Sequence, residues 1–158
     1  MWISQIEKMS ERAIIKFYSV ADEYGCFPNF ALYPIRLKLK SWPTSEHYFQ
    51  AQKFSDPKLQ SMVRRAGNPM AAARIGRSRK NPIRRNWMSM RVNVMRDAVR
   101  AKFTQHLDLH LILLDTNDAL IVEDAANDAF WGVGGDGRGQ NMLGRLLVGQ
   151  LTRFWASS

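Results

Sequence analysis

The apolar positions of this chain change period once, near Ser41. Before it, AIIKFYSV (13–20) and IRLKLK (35–40) are β-branched or alternating and lie between turn formers such as Gly25, Pro28 and Pro34, which predicts short strands in a small antiparallel sheet. After it the spacing turns helical. Asp56-Pro57, Asn68-Pro69 and Asn81-Pro82 each set an N-cap type of residue before a proline suited to a first helical turn, and the pattern predicts helices at 45–54, 57–66, 69–76 and 84–104. A shorter helix at 106–114 and a strand at LIVE (120–123) follow. In the last segment, MLGRLLVGQLTRF, Leu143, Leu146, Leu147, Leu151 and Phe154 fall on one helical face, with Asn141 at its N-cap. No repeat, low-complexity tract or long linker interrupts this order, so residues 1–158 read as a single helix-rich α+β domain with a small antiparallel sheet. A domain of that length buries roughly 70% of its unfolded surface and requires no disulfide or metal staple.

One helix fails to sort into two faces. In WPTSEHYFQAQKF (42–54), at about 100° per residue, Phe54, His47, Ala51, Tyr48 and Phe49 ring most of the circumference. Glu46, Gln50 and Lys53 share the remaining sector, the last two within about 40° of the first. An acid, an amide and an amine in line on a central helix are costly unless something binds them. Glu46 and Lys53 are about 10.5 Å apart along the axis, too far for an (i, i+4) pair and suited to two long side chains converging on an object between them. The plainer alternative is that both reach solvent or pair elsewhere. Ser45 lacks the glycine elbow of a hydrolase serine and reads as a cap.

A second cluster is FWGVGGDGRGQN (130–141), which holds five of the ten glycines. Gly132, Gly134 and Gly137 satisfy G-x-G-x-x-G, yet no βαβ unit follows, and Arg138-Gly139 stands where a Walker loop needs Lys and Ser or Thr. Exposed backbone N–H groups and a helix N-terminus would favour an anion there, against the plainer reading of a loop. Just upstream, VEDAANDAFW supplies Glu123, Asp124 and Asp128, with Trp131 three residues beyond the last. A carboxylate beside an indole suits a cationic sugar and a stacked base; the alternative is an acidic loop that balances basic surface.

Charge narrows the partners only to anions. The chain carries a net +9, and residues 64–102 hold twelve Lys or Arg against one acid, Asp97. Such a field attracts phosphates on a nucleic acid, a nucleotide or a sugar phosphate, or simply keeps one face solvated. Apolar runs such as LILL (111–114) fall far short of the roughly 20 residues that span a bilayer. With no cleavable signal and a lone cysteine, Cys26, the expectation is a cytoplasmic protein without membrane or obligate protein partner. His106 and His110 lack a third ligand, so neither metal nor cofactor is expected.

Together, FYS (17–19), GCFPNF (25–30), WPTSEHYFQAQKF (42–54), AARIGR (72–77), RNW (85–87) and DAFWGVGGDGRGQNMLG (128–144) resemble the NADAR superfamily, in its YbiA-like branch of N-glycosidases. The resemblance runs from about Ile14 to Leu151 and leaves 1–11 as an N-terminal extension. It implies the YbiA-like fold and cleavage of a ribosyl C–N bond. The substrate it implies is a phosphoribosylamino-pyrimidine intermediate of riboflavin biosynthesis, removed before it causes damage. The alternative is ADP-ribose attached to guanine in nucleic acid or nucleotides. It also implies Glu46, Lys53 and Asp128 as catalytic residues, and Phe17, Asn29, Phe30, Gln50, Arg77, Trp131, Gly132, Gly134, Gly137 and Asn141 as substrate-binding ones. Where the family usually has Phe-Ser-Asn-Phe, this chain has Phe27-Pro28-Asn29-Phe30, which removes a hydroxyl and a backbone donor. Breaking the bond builds positive charge on the sugar, which a carboxylate near C1′ stabilises. Glu46 is the first choice for that role; a partly neutral Lys53 attacking C1′ of an opened ribose, with Asp128 handling protons, is the competing version. A different class remains open as well: a non-catalytic ADP-ribose or nucleic-acid binding module, although the basic stretch matches no helix-turn-helix or RNA-binding signature.

Overall fold

A computed structural model describes residues 12–158, so the N-terminal extension lies outside the described residues. Among these run β1 (Ile14–Phe17), β2 (Ile35–Leu37), β3 (Lys40–Trp42), α1 (Ser45–Ala51), α2 (Pro57–Arg64), α3 (Pro69–Arg77), α4 (Trp87–Gln105), α5 (Leu107–Asp115), β4 (Leu120–Glu123) and α6 (Met142–Ala156). The domain is α+β and helix-rich, with its strands divided between two two-stranded sheets.

The sheets correct two expectations. IRLKLK is not one strand but most of a hairpin: β2 and β3 pair antiparallel with Ile35 opposite Trp42, and Lys38 and Leu39 turn the chain at φ values of 53° and 61°. Burial is the reason. Ile35 and Trp42 enter the core while Leu39 is 98% exposed, so the alternation reverses direction at the turn instead of running on. The Trp42 indole N–H donates to the Leu37 carbonyl at 3.0 Å and closes the hairpin. β1 does not join it. It pairs in parallel with β4, from Ile14 opposite Leu120 to Phe17 opposite Glu123. A parallel pair needs a crossover, and here the crossover is the hairpin and the first five helices.

Local chemistry sets the helix starts. Asp56 Oδ1 accepts from the Lys58 N–H and Asn68 Oδ1 from the Ala71 N–H, each at 2.8 Å, so two of the three Asx-Pro steps cap helices as expected. Asn81-Pro82 does not: the Asn81 amide donates to the Ile75 carbonyl at the end of α3, and α4 begins only at Trp87, whose ring is buried. Thr44, not Ser45, caps α1 by accepting from the His47 N–H. α1 closes at Ala51, and Lys53 follows in a tightened turn whose N–H donates to the Gln50 carbonyl.

α4 is the central strut, packed on α1, α5, α6 and β2. Phe27 sits edge-on between Phe17 and Phe103, with ring centroids 5.6 Å from each. Tyr48, Leu109, Leu113, Ile121, Leu143 and Leu147 continue the core. Fully burying a large apolar side chain contributes about 1.5–3 kcal/mol. α6 meets β4 so closely that a Cβ at Gly144 would lie 2.1 Å from the Ile121 carbonyl oxygen and 2.5 Å from Asn141 Nδ2. Gly144→Ala should therefore cost about 1–3 kcal/mol, read as a lower urea midpoint. A wild-type midpoint would mean that α6 and β4 do not touch in this way.

Candidate active site

α1, the end of β4 and the loop before α1 enclose a cleft of 760 Å³. Glu46, Phe49 and Gln50 of α1, with Lys53 in the turn after it, form one wall; Pro69, Met70 and Arg77 come from α3; Asn29 and Phe30 from the loop; Glu123, Asp128 and Trp131 from β4 and the turn beyond it. A second hollow of 690 Å³, along α2 between Pro57, Lys58, Ser61, Met62 and Arg65, contains no carboxylate and no aromatic ring.

Every residue of α1 from Ser45 to Ala51 is buried, including Glu46 at 6% exposure. Glu46 Oε1 accepts from Gln50 Nε2 at 2.6 Å, while the buried Gln50 Oε1 has no partner. Gly76 makes this arrangement possible, because a Cβ there would fall 1.9 Å from Gln50 Oε1. The same glycine's carbonyl accepts from Lys53 Nζ at 3.3 Å. Burial pushes the Glu46 carboxyl above its ordinary range, while Gln50, Arg77 and Lys53 pull it back toward the charged form. Lys53 is held below the usual lysine range by burial first, with Arg77 adding to the depression and Glu46 opposing it.

The preceding loop is fastened to α1. The Asn29 carbonyl accepts from the Glu46 N–H at 3.2 Å, and its side-chain oxygen accepts from Ser45 Oγ at 3.0 Å. At the proline that departs from the family pattern, the Pro28 carbonyl accepts from the buried Lys102 ammonium at 2.9 Å, so that position is held from its backbone.

Trp131 stands edge-to-face on Phe49 at 5.4 Å, and Phe49 in turn on Trp87 at 5.1 Å. Asp128 Oδ1 accepts from the N–H groups of Phe130 and Trp131, which fixes the turn that carries the indole. Arg91 lies 3.6 Å above the Phe130 ring and supports the turn from α4.

Glu46, Lys53, Asp128, Asn29, Phe30, Gln50, Arg77 and Trp131 thus share one cleft. Phe17, Gly132, Gly134, Gly137 and Asn141 do not line it. Phe17 is a core residue, 1% exposed, because the inward positions of a paired strand are apolar. The glycine loop is bound to itself: the N–H groups of Gly134, Gly137 and Gly139 donate to carbonyls of residues 125, 128, 133 and 134. Nor is the start of α6 free for an anion, since the Met142 and Leu143 N–H groups donate to the Phe130 and Trp131 carbonyls. Asn141 occupies the cap position in a left-handed conformation but makes no side-chain cap. Its amide instead donates to the Ile121 carbonyl and accepts from the Glu123 N–H, tying α6 to β4. These residues shape the wall from behind.

Tyr18, Phe49 and Met70 line the cleft without any signal of that role in the sequence, and so does Glu123, one of the acids of VEDAANDAFW that the family resemblance did not assign a role. Glu123 was visible as the acid that ends an apolar strand five residues before Asp128. Its Oε2 is buried without a partner, and burial, then the Asp128 and Glu46 charges, push its carboxyl up to about 7. Among the described residues, no three His, Cys, Asp or Glu side chains are grouped to hold a metal ion, and no helix is long and apolar enough to cross a membrane.

The NADAR domain matches residues 16–153. N-glycosidase YbiA of Escherichia coli is 54% identical over 144 residues, covering 91% of this chain and 90% of that protein. A riboflavin biosynthesis protein of Vibrio vulnificus is 45% identical over 134 residues, covering 85% of this chain and 36% of the longer protein. The NMR structure of E. coli YbiA superposes with a TM-score of 0.85 at 52% identity, over 92% of this chain and 86% of that one.

Glu123 carries a pH signature. Because its carboxyl titrates near 7 rather than at an ordinary 4.5, the folded state binds more protons than the unfolded chain between those values. Stability from this residue is therefore complete at low pH and lost as pH rises through about 7. Glu123→Gln should gain stability relative to wild type between about pH 5 and pH 8, read from urea midpoints. Parallel shifts in the two proteins would contradict an unpaired, buried carboxyl.

Proposed function

We propose, because the chain belongs to the NADAR domain family and its buried acid and amine face one cleft, that it hydrolyses the ribosyl C–N bond of a phosphoribosylamino-pyrimidine. The observation that carries this reading is that Glu46 and Gln50 of the buried helix α1, and Lys53 in the turn that follows it, line the cleft together. Relatives named N-glycosidase support the reaction class, and the Vibrio relative named as a riboflavin biosynthesis protein supports the pyrimidine substrate.

The chemistry follows from charge. As the C1′–N bond lengthens, the sugar becomes oxocarbenium-like, and a desolvated carboxylate next to C1′ lowers that barrier while orienting a water. Glu46 is that carboxylate, held in rotamer by Gln50. Trp131, braced by Phe49, offers its indole to the pyrimidine, and the Arg77 guanidinium takes the phosphate. Lys53 has a second route. Its lowered basicity leaves a fraction of free amine, which attacks C1′ of the ring-opened ribose, expels the nitrogen and is released as the imine hydrolyses.

The basic, exposed Arg74, Arg79 and Lys80 beside Arg77 favour a second substrate of the same bond type, ADP-ribose joined to guanine on a polyanion. Both should be offered to the purified protein with free base as the readout. Glu46→Gln should lower turnover on the order of 10²–10⁴-fold while retaining substrate binding. Absence of base release from both substrates by the wild type would overturn the enzymatic reading. Borohydride added during turnover separates the two routes: a mass adduct on Lys53, missing in Lys53→Ala, establishes the imine, and no adduct under proven turnover leaves Glu46 and water.

A further inference from the structure

We infer that Glu123 is the proton donor to the leaving nitrogen, a role for which Asp128 is poorly placed. The inference rests on the N-glycosidase reading and assigns a residue to a step that reading leaves open. Expelling an amine from C1′ requires a proton on the nitrogen, because the amide anion is too basic to leave. Three carboxyls line the cleft, and their surroundings divide the work.

Burial raises the Glu46 carboxyl too, but the Gln50 amide and the cations Arg77 and Lys53 all act on it in favour of the charged form. Asp128 has one oxygen occupied by the backbone N–H groups of Phe130 and Trp131 and is engaged in fixing that turn. Glu123 has neither. Its buried Oε2 finds no donor, and its charged neighbours include the acids Asp128 on the same wall and Glu46 on the α1 side. Lys53 in the turn after α1 and Arg77 on α3 share the cleft, and β1 sets the apolar Phe17 opposite Glu123. Like charges and burial keep such a carboxyl protonated near neutrality, and two buried carboxyls whose neighbours differ, donors and cations at Glu46 and acids at Glu123, divide as base and acid.

The backbone of Glu123 is correspondingly rigid. Its N–H donates to Asn141 Oδ1 at 2.9 Å and its carbonyl accepts from the Val133 N–H at 3.1 Å, which explains how Asn141 and the glycine loop serve the site without lining it. In the step itself, the C1′–N electron pair stays with nitrogen, which takes the Glu123 proton. Water adds to C1′ and loses a proton to the Glu46 carboxylate, and exchange with solvent restores both groups.

The test is the pH dependence of kcat for wild type, Glu123→Gln and Asp128→Asn, with the carboxyl of Glu123 followed by NMR titration. Wild-type kcat should fall about tenfold per pH unit above roughly 7. Glu123→Gln should lose on the order of 10²–10⁴-fold in kcat at about pH 6, with little change in KM, and should lack that alkaline limb. Asp128→Asn, which removes a like charge, should move the Glu123 titration to lower pH. A folded Glu123→Gln variant that keeps the alkaline limb would overturn the assignment. So would a Glu123 carboxyl that titrates in the ordinary glutamate range, a result that counts even where no substrate is turned over. Absence of base release from the wild type, by contrast, overturns the N-glycosidase reading itself.

Discussion

The site depends on the burial of α1. A helix that hides His47, Tyr48 and Phe49 around most of its circumference has one sector left, and that sector holds Glu46 and Gln50. Removing a carboxylate from water is expensive unless donors replace the lost hydration. Gln50 provides one donor and leaves its own oxygen unpartnered, so the pair is incomplete by itself. An incompletely satisfied polar line at the edge of a cleft is costly to the free protein and useful to one that binds a polar substrate there.

The rest of the fold serves this helix. α3 can approach it because Gly76 has no side chain, and the resulting contact places a carbonyl where Lys53 is held. The loop before α1 is tied by Asn29 to the Glu46 backbone and from beneath by Lys102. On the far side, the parallel pairing of β1 with β4 delivers Glu123 to the cleft, and Asn141 with the glycine loop fixes it there. The protein thus resembles a clamp whose two jaws carry unlike carboxyls, one surrounded by donors and cations and the other by acids.

Much of this was legible before any coordinates. The helical pattern, the caps at Asp56 and Asn68 and the crowding of large side chains around 42–54 are local signals, and they hold. What escaped is non-local. Alternation in IRLKLK could not reveal a turn at Lys38 and Leu39, because the deciding event is burial of Trp42 beyond the segment. Nor could a strand signature at 13–20 announce a partner more than a hundred residues away. The glycine loop was misleading for the opposite reason: the backbone donors that glycines expose in isolation are taken up by nearby carbonyls, as those of Gly134, Gly137 and Gly139 are by residues 125, 128, 133 and 134. Phe17 stood in a family motif and proved to be core. Glu123 was one of three acids in VEDAANDAFW, and only packing shows that it is the buried one without a partner.

On the proposed function, a ribosyl C–N bond sits between these two jaws. The most direct measurement is a structure of the Glu46→Gln variant with an uncleaved phosphoribosylamino-pyrimidine bound. C1′ and its nitrogen should lie between residue 46 and Glu123, with the base on Trp131 and the phosphate at Arg77. Density for the substrate along α2, or on the basic surface away from α1, would contradict it.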